Sequence, residues 1–300
     1  MKITERTRGE RMKDGIFRRG VLPVSVALAL FALTACGHFG DGDSSRPSAE
    51  PSGGRAAHVD PRSLAALRAV EKATEKAGSA RVESTTSMGG MLALETGGLL
   101  GWAGESVGTL RITYTGGQLA ETMRALGSTS MEARLLPDAY YAKVGDAFAR
   151  RLHGRHWIRY AYDDLASLPG GSGAYLTDQL RNTAPLQPVR LLLAAGDVRR
   201  VGEETVRGRR TTHYSGTVTP ASLTGGLREQ LEQAGVTEET VDVWVDDHDL
   251  LVKKTERGEL SSGRMSSTAY YRDYGTKIST TKPPAADTAD FKDLMKTQGS

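Results

Sequence analysis

Apolar and polar residues alternate with a period of two in segment after segment of this chain, and that pattern restricts the fold more than any other feature. Leu110, Ile112 and Tyr114 interleave with Arg111, Thr113 and Thr115; Met131, Ala133 and Leu135 interleave with Glu132 and Arg134; Val241, Val243 and Val245 interleave with Asp242, Trp244 and Asp246. A period of two sends one set of side chains to one face of a strand and the other set to the opposite face. Residues 80–88, 140–144, 198–206, 212–218, 250–255 and 265–274 carry related strand signals. The expectation is a half-buried antiparallel sheet, apolar on one face and wet on the other.

Helical spacing breaks this pattern in a few places. Asp60-Pro61 reads as an N-cap and first-turn proline, followed by a stripe of Leu64, Leu67, Val70, Ala73 and Ala77 and a stop at Gly78. A Gly-rich joint at 169–173 leads into an apolar segment at 175–180, and Pro188 opens a second helix through Val189, Leu191, Leu192 and Leu193 to Gly196. Thr219-Pro220 caps a third, with Leu223, Leu227, Leu231 and Ala234 on one face and Gly235 as its stop. Phe291, Leu294 and Met295 predict a last short turn after Pro283-Pro284. Apolar helices in a sheet protein are expected to cover the sheet's apolar face. No repeat marks a solenoid or propeller.

The first 35 residues stand apart. Arg18 and Arg19 precede an uncharged, mostly apolar run from Val21 that ends at Leu33-Thr34-Ala35-Cys36. A basic start, a short apolar centre and small residues at the cleavage point define a secretory leader, and the run is too short to span a bilayer comfortably. Cys36 is the only cysteine, and it stands where a lipobox places the thiol that takes a diacylglyceryl thioether. The alternative is a buried structural cysteine. One acyl chain holds a protein only marginally on a membrane, at about 0.8 kcal/mol per buried methylene, whereas two or three hold it durably. Arg18-Arg19 also fit a twin-arginine signal loosely, so two export routes stay open.

Residues 37–58 are Gly, Asp, Ser, Pro and Ala with almost no large apolar side chain, as in a flexible tether. The expected organisation is a signal peptide at 1–35, a tether at 36–58 and one domain at 59–300, anchored on the extracytoplasmic face of the cell membrane. Without a second cysteine, that domain relies on its core rather than on disulfides. Seven of the 39 Lys and Arg and three of the 36 Asp and Glu fall in the leader, which leaves 32 basic against 33 acidic residues. A balanced charge offers no general attraction to nucleic acid.

Short motifs that suggest chemistry meet simpler explanations. Asp246-Asp247-His248-Asp249 offers oxygen ligands for calcium, yet lacks the glycine and distal glutamate of an EF-hand and falls where a hairpin must turn. His153 and His156 read as solvated loop histidines, and Ser279-Thr280-Thr281-Lys282 runs straight into two prolines where a Ser-x-x-Lys site needs a helix. Arg199, Arg200, Arg207, Arg209 and Arg210 form a basic hairpin, read as a solvated turn, with anionic lipid headgroups as the sharper alternative. No catalytic residue, metal site or cofactor is expected.

The order of parts resembles the LppX/LprAFG family of actinobacterial lipoproteins, whose fold is similar to the LolA-like lipoprotein carriers. The residues that carry the resemblance are the lipobox at Cys36, Arg155-His156-Trp157-Ile158-Arg159-Tyr160 with Asp163-Asp164-Leu165, the strand at 241–246 turning into Leu250-Leu251-Val252, and Tyr271-Arg272-Asp273-Tyr274-Gly275 running to Pro283-Pro284. The resemblance implies an α+β fold: a strongly curved antiparallel sheet, a half barrel, with helices covering its concave face and an apolar cavity between. It also implies an acyl lipid or glycolipid as ligand. The chain departs from the pattern in a Gly-rich stretch at 89–108, with Met91, Leu92, Leu94, Leu99, Leu100 and Trp102, which reads as a lid, a membrane-facing loop or an irregular hairpin.

These readings combine into one expectation, a membrane-anchored, monomeric lipid carrier without enzymatic activity. Leu110, Ile112, Met131, Ala133 and Leu135 are the candidate cavity wall, and Leu191, Leu192, Leu227 and Leu231 the candidate lid. The alternative is an anchored interaction or sensor module, whose same apolar faces form an ordinary filled core.

Overall fold

The computed structural model describes residues 60–166, 185–233, 235–260 and 263–298. The leader, Cys36, the tether and the segments at 169–173 and 175–180 lie outside the described residues.

Two meanders build one sheet. The first runs through β1 (Ser79–Met88), β2 (Leu92–Gly101), β3 (Val107–Gly116), β4 (Ser130–Leu135), β5 (Ala139–Lys143) and β6 (Trp157–Ala161). The second runs through β7 (Val198–Val206), β8 (Arg209–Val218), β9 (Val236–Val245), β10 (Leu251–Leu260) and β11 (Gly263–Arg272). Pairing of β1 with β11, from Arg81 opposite Arg272 to Met88 opposite Met265, joins them. A short β12 (Thr288–Asp290) adds a parallel edge beside β6. The order is β12-β6-β5-β4-β3-β2-β1-β11-β10-β9-β8-β7, an open antiparallel sheet of the half-barrel kind.

Turn chemistry sets these hairpins. Arg207 and Gly208 both take positive φ, 49° and 81°, as a two-residue turn between right-twisted strands requires. At the next turn the Asp246 carboxylate accepts the backbone N–H groups of His248 and Leu250, each at 3.0 Å, and Asp249 is left-handed.

The helices are α1 (Pro61–Ala77), α2 (Gly117–Ala125), α3 (Asp146–Ala149), α4 (Tyr162–Ala166), α5 (Gln187–Ala195), α6 (Gly225–Gln233) and α7 (Phe291–Gln298). Asp60 caps α1 by accepting the Arg62 N–H, and left-handed Gly78 ends it. The α1 helix packs on α5 and β7; α2 lies on β2 and β3; α5 crosses β7, β8 and β9; α6 meets β9; and α4 and α7 meet β6. Every strand contributes to a single contiguous apolar cluster, joined by Leu67 and Val70 of α1, Ala120 and Met123 of α2, and Val189, Leu191 and Leu192 of α5.

Several local expectations need correction. The sequence reading missed α2 inside the β3–β4 connection, although Leu119, Ala120, Met123 and Leu126 carry a helical spacing. Its start needs Gly117: φ is 77°, and a Cβ there would come within 2.6 Å of the Leu92 nitrogen. The helix expected after Thr219 is broken in two. Thr219 and Ser222 satisfy each other in a capping box around a single 3₁₀ turn, Leu223 is extended, and α6 starts afresh at Gly225.

The Gly-rich stretch at 89–108 holds the whole of β2 and the turn into β3, and so forms one arm and the bend of a hairpin. Gly98 lies opposite Leu110 and Gly108 opposite Leu100, and a Cβ at either glycine would come within 3.0 Å of the facing leucine's Cδ2. The missing side chains are therefore the room those leucines occupy.

Strand β5 is buried on both faces rather than one. After β11 the chain crosses the sheet: Thr280 meets Thr109, Arg134 donates to the Thr281 carbonyl, and Lys282 pairs with Asp138 at 2.8 Å. On this outer side Leu136, Ala139, Tyr141 and Trp157 form a second small core, with the Arg134 guanidinium 4.5 Å from the Trp157 ring centre.

Candidate functional site

The five wall residues share the inner face of adjacent strands. Leu110 lies opposite Ala133 and Ile112 opposite Met131, with Leu135 next along β4. They are 0–6 % exposed. Leu191 and Leu192 are buried on α5 and Leu231 on α6, while Leu227 is half-buried. All nine belong to, or pack on, one cluster. The lid residues, however, cover the β7–β9 half through α5 and α6, whereas α2 is the helix against β3.

The inner face also holds charge that sequence reasoning missed. A bulge between Leu251 and Lys253 shifts the register of β10 so that Lys254 pairs with inward-facing Val243 and Glu256 with Val241. Two neighbouring lysines show that one faces inward; only the bulge decides which. Lys254 Nζ lies 2.5 Å from Glu256 Oε2. Burial pulls the Lys254 ammonium toward its neutral form, but Glu256, Tyr271 and Glu239 outweigh it and hold the pKa above the ordinary lysine range.

Glu239, between Val218 on β8 and Gly258 on β10, is 4 % exposed. Its pKa is pushed up to about 8, first by burial and then by Glu256, with Lys254 opposing. The carboxyl is therefore mostly protonated at neutral pH.

The outer face is polar and closely paired. Trp244 is sandwiched by His213, stacked at 4.2 Å, and by the Lys253 ammonium at 3.8 Å, while its ring N–H donates to Glu204. Asp242 accepts from His213 at 2.9 Å and from Thr255 and Arg257 at 3.1 Å; burial raises its pKa, and hydrogen bonds from His213, Ser215 and Thr255 more than reverse that. The Arg207 guanidinium lies 3.7 Å above the Tyr270 ring and pairs with Glu83 at 2.6 Å. Around them lies a recess of about 490 Å³ lined by Glu83, Glu95, Arg111, Thr113, Arg207 and Tyr270. With Arg200 on Glu203 and Arg209 on Asp246, three of the five hairpin arginines are paired with carboxylates.

At the 246–249 turn, ligand atoms of Asp246, Asp247 and His248 come within 4.8 Å of one another. Asp246 is already engaged by two backbone N–H groups and Arg209, which makes it the cap of the turn. His156 is more than a solvated loop residue: its Nδ1 lies 2.8 Å from Asp287, whose carboxylate also accepts the His156 backbone N–H. That contact fastens β12 beside β6, and it holds the Asp287 pKa below the usual range. His153 is an exposed left-handed turn residue.

No family model matches the chain. It is 56 % identical over 294 residues, 94 % of this chain and 98 % of the other, to the Streptomyces coelicolor protein named "Putative lipoprotein SCO4650". It is 50 % identical over 249 residues, 79 % of this chain and 82 % of the other, to an uncharacterized 31.2 kDa protein of Streptomyces griseus from the rplA-rplJ intergenic region. Among solved structures it is similar to LprF from Mycobacterium bovis (13 % identity, TM-score 0.48, 75 % of this chain and 98 % of that one). It is also similar to LppX from Mycobacterium tuberculosis (16 %, 0.49, 74 % and 100 %).

Proposed function

The chain belongs to the family represented by SCO4650 of Streptomyces coelicolor, and from that membership we propose a lipoprotein held on the extracytoplasmic face of the cell membrane by acyl chains on Cys36. In this reading it binds and carries an acyl lipid or glycolipid between its sheet and its helices. The observation that supports it best is the inner face: all twelve strands add apolar side chains to one surface, and short separate helices cover it. Helices that each touch a few strands can part from the sheet one at a time, which a second sheet packed face to face cannot do. Carriage needs no bond made or broken and no cofactor. Burying about 25 cal/mol per Å² of lipid chain offsets the cost of exposing it to water. A monomer suffices.

One observation favours the second reading, an anchored interaction or sensor module. The wall side chains are 0–6 % exposed, as in an ordinary core.

The two separate in vesicle extraction. The full chain and a Cys36→Ser variant are expressed with a labelled fatty acid, and the purified wild type is mixed with vesicles containing a pyrene-labelled diacylglycerol. Label and membrane association in the wild type but not the variant, with pyrene lipid drawn from the vesicles, are expected. Label retained by the variant sinks the anchor, and pyrene lipid left entirely in the vesicles sinks carriage.

A further inference from the structure

Four tyrosines are buried in the one apolar cluster beneath the sheet: Tyr114 from β3, Tyr140 from β5, Tyr160 from β6 and Tyr162 at the start of α4. Their exposures are 7, 4, 1 and 1 %. Tyr140 and Tyr160 are cross-strand partners with ring centres 5.9 Å apart, and Tyr160 rests on Phe291 at 4.9 Å. Tyr114, Tyr160 and Tyr162 all act electrostatically on the Tyr140 hydroxyl, so four polar atoms share one region of an apolar interior. The Tyr114 hydroxyl donates to the Met131 sulfur at 3.5 Å, a weak acceptor. Among the described residues, the Tyr140 and Tyr160 hydroxyls have no hydrogen-bond partner.

A buried hydroxyl without a partner destabilises a fold, and phenylalanine would fill the same space without that cost. Two such hydroxyls on directly paired residues of neighbouring strands suit a polar atom that arrives with a ligand. Its chemistry follows from the surroundings. Among the described residues, the titratable groups acting on Tyr140 and Tyr160 are tyrosines alone. The inward-facing Lys254 lies on β10, in the other meander. A carboxylate or phosphate at the tyrosines would be an uncompensated buried charge. Two O–H donors suit a neutral acceptor, the carbonyl of an ester.

Building on the carrier reading, we propose that Tyr140 and Tyr160 form a subsite for the ester carbonyl of a neutral acyl lipid, so that the protein selects esterified acyl chains over free fatty acids. The test offers the full chain, in mild detergent, equimolar methyl palmitate and palmitate, and reads the bound species by native mass spectrometry. Wild type holds the ester over the acid by about tenfold or more, the discrimination expected from one or two hydrogen bonds. The Tyr140→Phe, Tyr160→Phe double variant loses about tenfold in ester occupancy, while its lipid-free Tm equals or exceeds that of wild type. Equal ester occupancy in the two proteins overturns the subsite and leaves carriage standing. A lower lipid-free Tm in the double variant also overturns it, because the hydroxyls then have a partner within the protein or its water. Wild type that binds neither probe overturns carriage, and the subsite with it.

Discussion

Replacing Lys254 with alanine lowers the unfolding free energy by about 3–5 kcal/mol, measured by denaturant unfolding at pH 7, because it leaves the buried Glu256 carboxylate without its counter-charge. Glu256 is 9 % exposed and faces the interior beside Val241, so water compensates only in part for a lost ammonium. A Lys254→Met, Glu256→Leu pair, which removes both charges and keeps the volume, recovers most of the stability. A single variant that loses less than about 1 kcal/mol at pH 7 would show that the pair is solvated in solution.

Glu239→Gln has its largest effect at high pH. The folded-state pKa of Glu239 is raised from 4.5 to about 8 by burial and by Glu256, so between those values the folded protein holds a proton that the unfolded chain releases. Stability then falls as pH rises. This contribution is fully present below about 4.5, declines through the window and is lost above about 8, with a slope of up to about 1.4 kcal/mol per pH unit. Glutamine keeps the neutral form at every pH. The Tm difference between variant and wild type is therefore expected to grow in the variant's favour from pH 6 to pH 9. A constant difference across that range contradicts a protonated Glu239.

Both predictions concern residues that the alternating pattern could not reveal. Strand alternation at 110–114, 131–135 and 241–245 was legible because one face of each strand meets the core and the other meets water, so period and burial coincide. The caps at Asp60 and Gly78 were legible for a similarly local reason. Lys254 and Glu239 escaped because a bulge, a feature of strand pairing rather than of one strand, turned Lys254 inward, and because burial of Glu239 depends on β8 and β10 beside it. Both-sided burial of β5 comes from a crossing chain more than 130 residues later, a distance at which local periodicity says nothing. The break before α6 was visible in Gly225-Gly226, but the leucine spacing read straight across it. The wall residues could be named because all five lie on regular strands. Their separation from the lid helices is a property of the sheet order alone.

The claim on which the rest depends is that the space between sheet and helices holds a lipid besides any attached at Cys36. Native mass spectrometry of the full chain, released from detergent in the gas phase, measures this directly. A species heavier than the covalently modified chain by the mass of an acyl lipid, lost on collisional activation, is the expected result. A mass explained by the chain and its covalent acyl groups alone, in protein taken gently from its own membrane, would contradict it.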